Sequence, residues 1–152
     1  MKLGIADIAR HCLEDVRPEF AGAVRRGDVI VAGRNFGIGS SREQAPEALA
    51  SLGIAAVVAV SFAGLFYRNA INLGLPVLAC RDVALLEDGQ AVTLDLAAAT
   101  LTLGDGTAVM LEPMPDFLLD IVRHGGLIAH LQTTLAEQRA RSVGAGPLQS
   151  GR

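Results

Sequence analysis

The residues of this chain best suited to chemistry are two hydroxyls and a guanidinium that stand side by side, Ser40, Ser41 and Arg42. Two glycines, Gly37 and Gly39, lie just before them. An arginine binds a carboxylate or phosphate through two parallel hydrogen bonds. Glycine adopts positive φ and lets a ligand approach the backbone. The segment therefore predicts an anion site built from Arg42, the hydroxyls and backbone N–H groups.

The elements on either side of this segment would position it. An apolar run, residues 29–32, predicts a buried strand, and the residues after the glycine-rich turn predict a helix. A strand, a turn and a helix start point backbone N–H groups and the positive end of the helix dipole at one place. Ser40 with Glu43, or Ser41 with Gln44, also fits a helix capping box, and the glycines would then serve only a tight turn. The spacing leaves both interpretations open.

The glycine spacing disfavours a nucleotide-binding loop. No lysine follows the last glycine, as a Walker loop requires, and the third glycine of the dinucleotide fingerprint is absent. Pro46 removes one backbone N–H from the first turn of the helix. The helix is therefore expected either to begin near Pro46 or to bend there.

Two further apolar runs, residues 54–60 and 75–79, predict a fully buried second strand and a short third strand. Between them, Ser61 is expected to cap a helix that runs to about Leu73 and ends at Gly74. This βαβαβ order predicts a parallel sheet. The loops that follow the first two strands should then meet at its carboxyl edge.

The second half of the chain has a different pattern. Alternating apolar segments surround a Gly-Asp-Gly turn at residues 104–106, which predicts antiparallel hairpins. A short amphipathic helix over residues 115–122 and a last helix over 127–136 complete one domain, residues 1–136. Residues 137–152 are polar and glycine-rich, and they are predicted to form a flexible tail.

Composition excludes two classes of partner. The longest apolar stretch falls well short of the roughly 18 residues of a membrane span. A net charge of −3 does not indicate the basic surface that nucleic-acid binding requires. Hydrophobic residues make up 51% of the chain. This high fraction indicates either a surface that is buried against another subunit or simply a high content of alanine. Cys12 and Cys80 lack a C-x-x-C pattern and are interpreted as free thiols in a reducing cytoplasm.

Three blocks of this sequence resemble the swivelling domain of the aconitase superfamily, in the form of the small subunits of 3-isopropylmalate dehydratase and homoaconitase. The blocks are G-R-N-F-G-I-G-S-S-R-E-Q-A-P at residues 33–46, S-F-A-G-L-F-Y-R-N-A-I-N-L-G-L-P at 61–76 and H-C-L-E-D-V-R-P-E-F at 11–20. The resemblance implies a three-layer β/β/α swivelling domain, with a mainly parallel βαβαβ sheet and antiparallel hairpin segments.

The resemblance also implies roles for the serine–arginine run. Ser40 matches the base that removes a proton next to a carboxylate, and Ser41 and Arg42 match contacts to the substrate's carboxylates. Gly37 and Gly39 would supply backbone donors that stabilise the Ser40 alkoxide. A [4Fe–4S] cluster needs three or four thiolates, which two cysteines cannot provide, so no metal or cofactor is expected on this chain. The cluster is expected on a large-subunit partner.

Several positions depart from the family pattern. Gly64 stands where the family usually has arginine, and Ile38 and Gln44 stand where cysteine and histidine are frequent. The family's opening strand, with its D-T-D-type motif, is not found before Ile5, so the N-terminal strand is expected to be missing. Arg68 and Asn69 are interpreted either as helix-surface residues or as supports of the serine loop.

The resemblance implies the small subunit of a heteromeric cytoplasmic hydro-lyase that isomerises a hydroxy dicarboxylate by dehydration and rehydration. The expected substrate is 3-isopropylmalate, an intermediate of leucine biosynthesis. The expected assembly is a heterodimer or heterotetramer with the large subunit. The alternatives are a homoaconitase or other substituted-malate hydratase small subunit, and a non-catalytic anion-binding module that kept the fold.

Overall fold

A computed structural model describes residues 20–38 and 44–144 of the chain. They form an α/β fold with two three-stranded sheets. The helices are α1 (Phe20–Ala23), α2 (Gln44–Ser51), α3 (Gly64–Asn72), α4 (Asp116–Arg123) and α5 (Leu127–Gly144), with a short 3-10 turn at Val83–Leu85. The strands are β1 (Val29–Ala32), β2 (Ala56–Ala59), β3 (Val77–Ala79), β4 (Val92–Asp95), β5 (Thr100–Leu103) and β6 (Ala108–Met110).

The first sheet is parallel, in the order β1-β2-β3, as the βαβαβ pattern predicts. Val29 pairs with Ala56 at one end of the β1–β2 ladder, and Ala32 pairs with Ala59 at the other. Every residue of β2 is fully buried, because this strand lies between β1 and β3 and its valines belong to the hydrophobic core. The prediction of a fully buried second strand is confirmed over these four residues.

The prediction that β1 is buried holds fully only for Ile30, because Val29 and Ala32 are half-buried and Val31 is exposed. Ile30 is buried, but 42% of Val31 is exposed. Within the described sheet β1 is an edge strand, so it has a neighbouring strand on one side only. An apolar run cannot report this, because strand order is set by contacts far away in the sequence.

The second sheet is antiparallel, and its hairpin is the predicted one. Thr102 pairs with Ala108 across the turn, and the Leu103 N–H donates to the carbonyl of Thr107 over 2.8 Å. Alternate residues of β5 and β6 are buried, and Leu101 is completely so. These buried side chains join those of the parallel sheet in one hydrophobic core. The predicted α/β fold class is confirmed.

The last helix is longer than the sequence analysis predicts. It continues through Gly144, eight residues past the predicted end at Ala136. The physical reason is that residues 136–142 contain no glycine or proline and consist largely of good helix formers. The described part of the predicted tail is therefore helical, and residues 145–152 lie outside the described residues.

Candidate functional site

The two loops that follow β1 and β2 are joined by four hydrogen bonds. The first loop is residues 33–43, of which 33–38 are described, and the second loop is residues 60–63. The Val60 N–H donates to Gly33 over 3.1 Å, and the Phe36 N–H donates to the Ser61 carbonyl over 3.0 Å. The Ala63 N–H in turn donates to the Phe36 carbonyl over 2.9 Å. The first loop therefore extends the parallel pairing beyond the end of its strand, at the edge where the sequence predicts the site.

The fourth of these bonds corrects a prediction. The Ser61 hydroxyl accepts the backbone N–H of Asn35 over 2.8 Å. Ser61 is therefore not the cap of the next helix, which begins at Gly64 after an extended Ala63 with no side-chain cap. Ser61 instead holds Asn35, whose φ of 57° lies in the left-handed region. Asparagine tolerates that region better than most residues, and this is the signal in the sequence that could have indicated the turn.

An aromatic cluster supports the first loop from below. Phe36 meets Phe66 edge to face at 5.2 Å between ring centroids and meets Phe62 at 6.3 Å. Gly37 has a φ of 86°, and a Cβ at this position would overlap the Cβ and Cγ of Phe66. Since Phe66 is only 2% exposed in α3, the loop backbone rests directly on a core side chain. Any residue larger than glycine at position 37 would push the loop backbone away from Phe66.

The structure brings one of the predicted site residues into this arrangement. Gly37 is described, and its backbone lies against the Phe66 side chain. Its predicted role as a backbone donor to an anion stays a prediction. The other four predicted residues lie outside the described residues, and their roles stay predictions: Gly39, Ser40, Ser41 and Arg42. The first described residues after them begin α2, at Gln44. Pro46 lies in its first turn, where a missing N–H breaks no hydrogen bond within the helix.

A groove of about 250 Å³ opens between α3 and α4. Its wall includes Gly64, Tyr67 and Arg68 on α3, and Leu118 on α4. A Cβ on Gly64 would meet nothing within 4 Å, so the absence of a side chain leaves this groove open. Burial raises the pKa of the Tyr67 phenol above its ordinary value. Among the described residues, no hydrogen bond joins the side chain of Arg68 to the first loop, so its supporting role stays a prediction.

The described part of the chain contains no group of three or more His, Cys, Asp or Glu side chains that could hold a metal ion. Cys80 is a free, buried thiol, and burial raises its pKa. A neutral, buried thiol is a poor metal ligand, because metals bind the thiolate. Over the same residues, no helix is long and apolar enough to cross a membrane.

The fold and the loop together define the class of protein. A parallel βαβαβ sheet that shares its core with an antiparallel sheet, and that carries a glycine-rich serine–arginine motif after its first strand, is an aconitase-type swivelling domain. The model of the aconitase C-terminal domain family matches residues 15–82.

Relatives and a solved structure narrow this class. The chain is 48% identical over 128 residues to the 3-isopropylmalate dehydratase small subunit of Halothermothrix orenii, covering 83% of this chain and 78% of the relative. It is 49% identical over 130 residues to the methanogen homoaconitase small subunit of Methanothermobacter thermautotrophicus, covering 85% and 75%. The crystal structure of 3-isopropylmalate dehydratase (LeuD) from Methanocaldococcus jannaschii matches with a TM-score of 0.85 and 37% identity, over 92% of this chain and 84% of that one. The chain belongs to the family of 3-isopropylmalate dehydratase and homoaconitase small subunits.

Proposed function

We propose that this chain is the small subunit of a cytoplasmic hydro-lyase, active only with its large subunit, that isomerises 3-isopropylmalate in leucine biosynthesis. Dehydration removes a hydroxyl from one carbon, and rehydration returns it to the neighbouring carbon. The observation that carries the proposal is 48% identity to a 3-isopropylmalate dehydratase small subunit over 83% of the chain, with the G-S-S-R motif intact. The large exposed apolar side chains, which include Phe117, Ile128 and Leu131, support a contact with another subunit.

In this proposal Ser40 is the base. Its Oγ takes the proton from the carbon next to a carboxylate during dehydration and returns it during rehydration. A serine hydroxyl is a weak base, so its alkoxide must be stabilised by nearby N–H donors, and Gly37, Gly39 and the start of α2 are the candidate donors. The hydrogen bonds between residues 33–36 and the second loop support this assignment, because they hold the segment that leads to Gly37 in place. A donor that is already held in place needs no reorganisation.

Arg42 and Ser41 bind the substrate's carboxylates. Removing a proton next to a carboxylate places additional negative charge on that group. A bidentate guanidinium binds this charge more strongly as it develops, so it lowers the barrier and does not merely hold the substrate. Both interactions weaken in water, so the site is expected to work only when closed against its partner.

The cluster of the proposed enzyme would lie on the large subunit. A [4Fe–4S] cluster needs three or four thiolates, and this chain has two cysteines, one of them buried and neutral. On the partner, such a cluster would act as the Lewis acid for the departing hydroxyl. The assembly is proposed to be a heterodimer or a heterotetramer.

A homoaconitase small subunit is the second candidate, because the methanogen relative is 49% identical. Homoaconitate carries a third carboxylate where 3-isopropylmalate carries a branched alkyl group. The two candidates therefore share the chemistry of the serine loop and differ in the group that the site must accept beside it.

The test is co-expression with the large-subunit gene of the same genome and anaerobic purification. Hydration and isomerisation are then assayed on 3-isopropylmalate, homoaconitate and citraconate. We expect turnover of 3-isopropylmalate that disappears when this chain is left out. A preference for homoaconitate would favour the second candidate. An intact partner cluster without complex or turnover would leave the non-catalytic anion-binding module as the function.

A further inference from the structure

Ile38 exposes an unusually large fraction of its apolar side chain, and it lies two residues before Ser40 in the sequence. Its exposed fraction is 74%, which only Ile128 equals among the large apolar side chains of the described residues. Most exposed apolar residues need no explanation. Ile38 does, because it directly follows Gly37, whose backbone lies against the buried Phe66 side chain.

The backbone that leads to Ile38 is held in place by several contacts. The Ile38 N–H donates to the Asn35 carbonyl over 3.1 Å, which closes a tight turn. Gly37 rests on Phe66, and the Asn35 N–H is held by the Ser61 hydroxyl. The residues just before Ile38 therefore cannot rotate to bury it without breaking these contacts.

A second exposed apolar residue flanks the same contact. Leu65 precedes Phe66 in the first turn of α3, and 46% of it is exposed. Gly37 and Phe66 are in contact, and Ile38 and Leu65 are their immediate chain neighbours. The carboxyl edge of the parallel sheet thus carries an apolar side chain on each of its two loop-and-helix segments.

We propose that Ile38 contacts the alkyl substituent of the substrate and thereby determines specificity for a hydroxy diacid with a branched alkyl group over one with a third carboxylate. The inference rests on the proposed function, in which Ser40 abstracts the proton. Residues two apart have Cα atoms at most about 7 Å apart, so Ile38 and Ser40 can touch the same small molecule. Apolar surface buried against an isoleucine favours binding, whereas an unpaired carboxylate buried there disfavours it.

The experiment uses the co-expressed, assembled complex and compares two ligands that differ only in the alkyl group. For 3-isopropylmalate, kcat/KM is measured, and for malate, which lacks the isopropyl group, the competitive inhibition constant is measured. We expect Ile38→Ala to lower kcat/KM about tenfold, because the shortened side chain leaves most of the alkyl group without an apolar contact. The inhibition constant for malate should change less than twofold.

Two matched variants separate contact from general disruption. Ile38→Val removes a single methylene and should retain most of the activity on 3-isopropylmalate. Leu65→Ala removes the neighbouring exposed apolar side chain. It should change neither kcat/KM for 3-isopropylmalate relative to the inhibition constant for malate nor the preference for the alkyl group. Size-exclusion chromatography of every variant with the large subunit checks that the complex still forms.

Other outcomes overturn the inference in distinguishable ways. Equal losses for both ligands, or weaker association with the large subunit, would make Ile38 a contact with the partner protein. Faster turnover of homoaconitate than of 3-isopropylmalate by the unmodified complex would contradict the apolar specificity while leaving the hydro-lyase assignment intact. An unmodified complex with no hydro-lyase activity would overturn the proposed function, and this inference with it.

Discussion

Single residues with unusual backbone conformations determine the path of the first loop. Asn35 and Gly37 both have positive φ, 57° and 86°, and the loop turns at them. The Ser61 hydroxyl and the Phe66 ring then hold these two residues from the next segment of the chain. The proposed role of Ser40 as a base would depend on this support, because a weak base is useful only where its donors are already in place.

Ser40→Ala should lower the turnover of the assembled complex by about 10³-fold, because it removes the proposed proton acceptor. The KM for 3-isopropylmalate should change little, since Ser41 and Arg42 would still bind the carboxylates. Steady-state assays of the anaerobic complex give both values. Near-normal turnover would contradict the base assignment, and a higher KM with normal turnover would make Ser40 a binding residue.

Gly37→Ala should destabilise the protein by about 2–4 kcal/mol, because positive φ strains an alanine and the new methyl overlaps Phe66. Gly89→Ala is the matched control. Gly89 also has positive φ, 78°, but a Cβ there meets nothing within 4 Å. Thermal unfolding should show a clearly smaller loss for the control. Equal losses would mean that the loop moves away from Phe66 at little cost.

At the scale of elements, the hairpin between β5 and β6 depends on one carboxylate in its turn. Asp105 Oδ1 accepts the Thr107 N–H over 2.8 Å, and this bond lowers the pKa of Asp105. A lowered pKa in the folded state means that the charged form stabilises the fold. That stabilisation is complete above the unfolded-state pKa and is lost as the pH falls through the folded-state pKa.

Asp105→Ala should therefore lower the melting temperature at neutral pH, and the difference from the unmodified protein should shrink as the solution becomes strongly acid. Asp105→Asn keeps an acceptor for the Thr107 N–H but lacks the charge. Its melting temperature at neutral pH should therefore be lowered less than that of Asp105→Ala, and this difference should also shrink as the pH falls. Melting temperatures measured across a pH series test both. A difference for Asp105→Ala that stays constant with pH would rule out the carboxylate as its cause.

The elements that the sequence predicts correctly are those with local causes. The Gly104–Asp105–Gly106 turn between alternating runs specifies its hairpin, and Gly74 ends α3 with a φ of 81°. The errors have distant causes. Ser61 stands at a position typical of a helix cap. Its hydroxyl instead accepts a hydrogen bond from the backbone N–H of Asn35, 26 residues earlier in the chain. Likewise, Val31 is exposed in a strand at the edge of the described sheet, and strand order depends on contacts between residues far apart in the sequence.

In the candidate site, too, the features with local causes could be predicted and those that depend on tertiary contacts could not. The sequence predicts that Gly37 has positive φ in a tight turn, and its φ is 86°. Its predicted place in an anion site stays a prediction. The aromatic support could not be predicted from spacing, since Phe36, Phe62 and Phe66 come together only when two loops meet at the sheet edge. Sequence motifs indicate which groups do chemistry, and tertiary contacts decide how firmly they are held.

At the scale of the whole molecule, the two sheets are joined at Cys80. Its N–H donates to the carbonyl of Ala59 in β2 over 2.8 Å, and its Sγ lies 3.8 Å from the carbonyl of Met110 in β6. The Glu112 N–H also donates to the carbonyl of Ala79 in β3 over 2.8 Å. With one hydrophobic core shared by both sheets, these bonds predict that the sheets unfold together.

Cys80 can report this cooperativity. It is 1% exposed, and its raised pKa keeps the thiol neutral, so a thiol reagent should reach it only after unfolding. In a Cys12→Ser background, labelling of Cys80 should be at least about 10³-fold slower than that of a free peptide thiol, in proportion to the unfolded fraction. Adding denaturant should raise the labelled fraction along the same curve as circular dichroism. Labelling that precedes the loss of helix would instead mean that the antiparallel sheet separates first, and that the shared core is weaker than its burial implies.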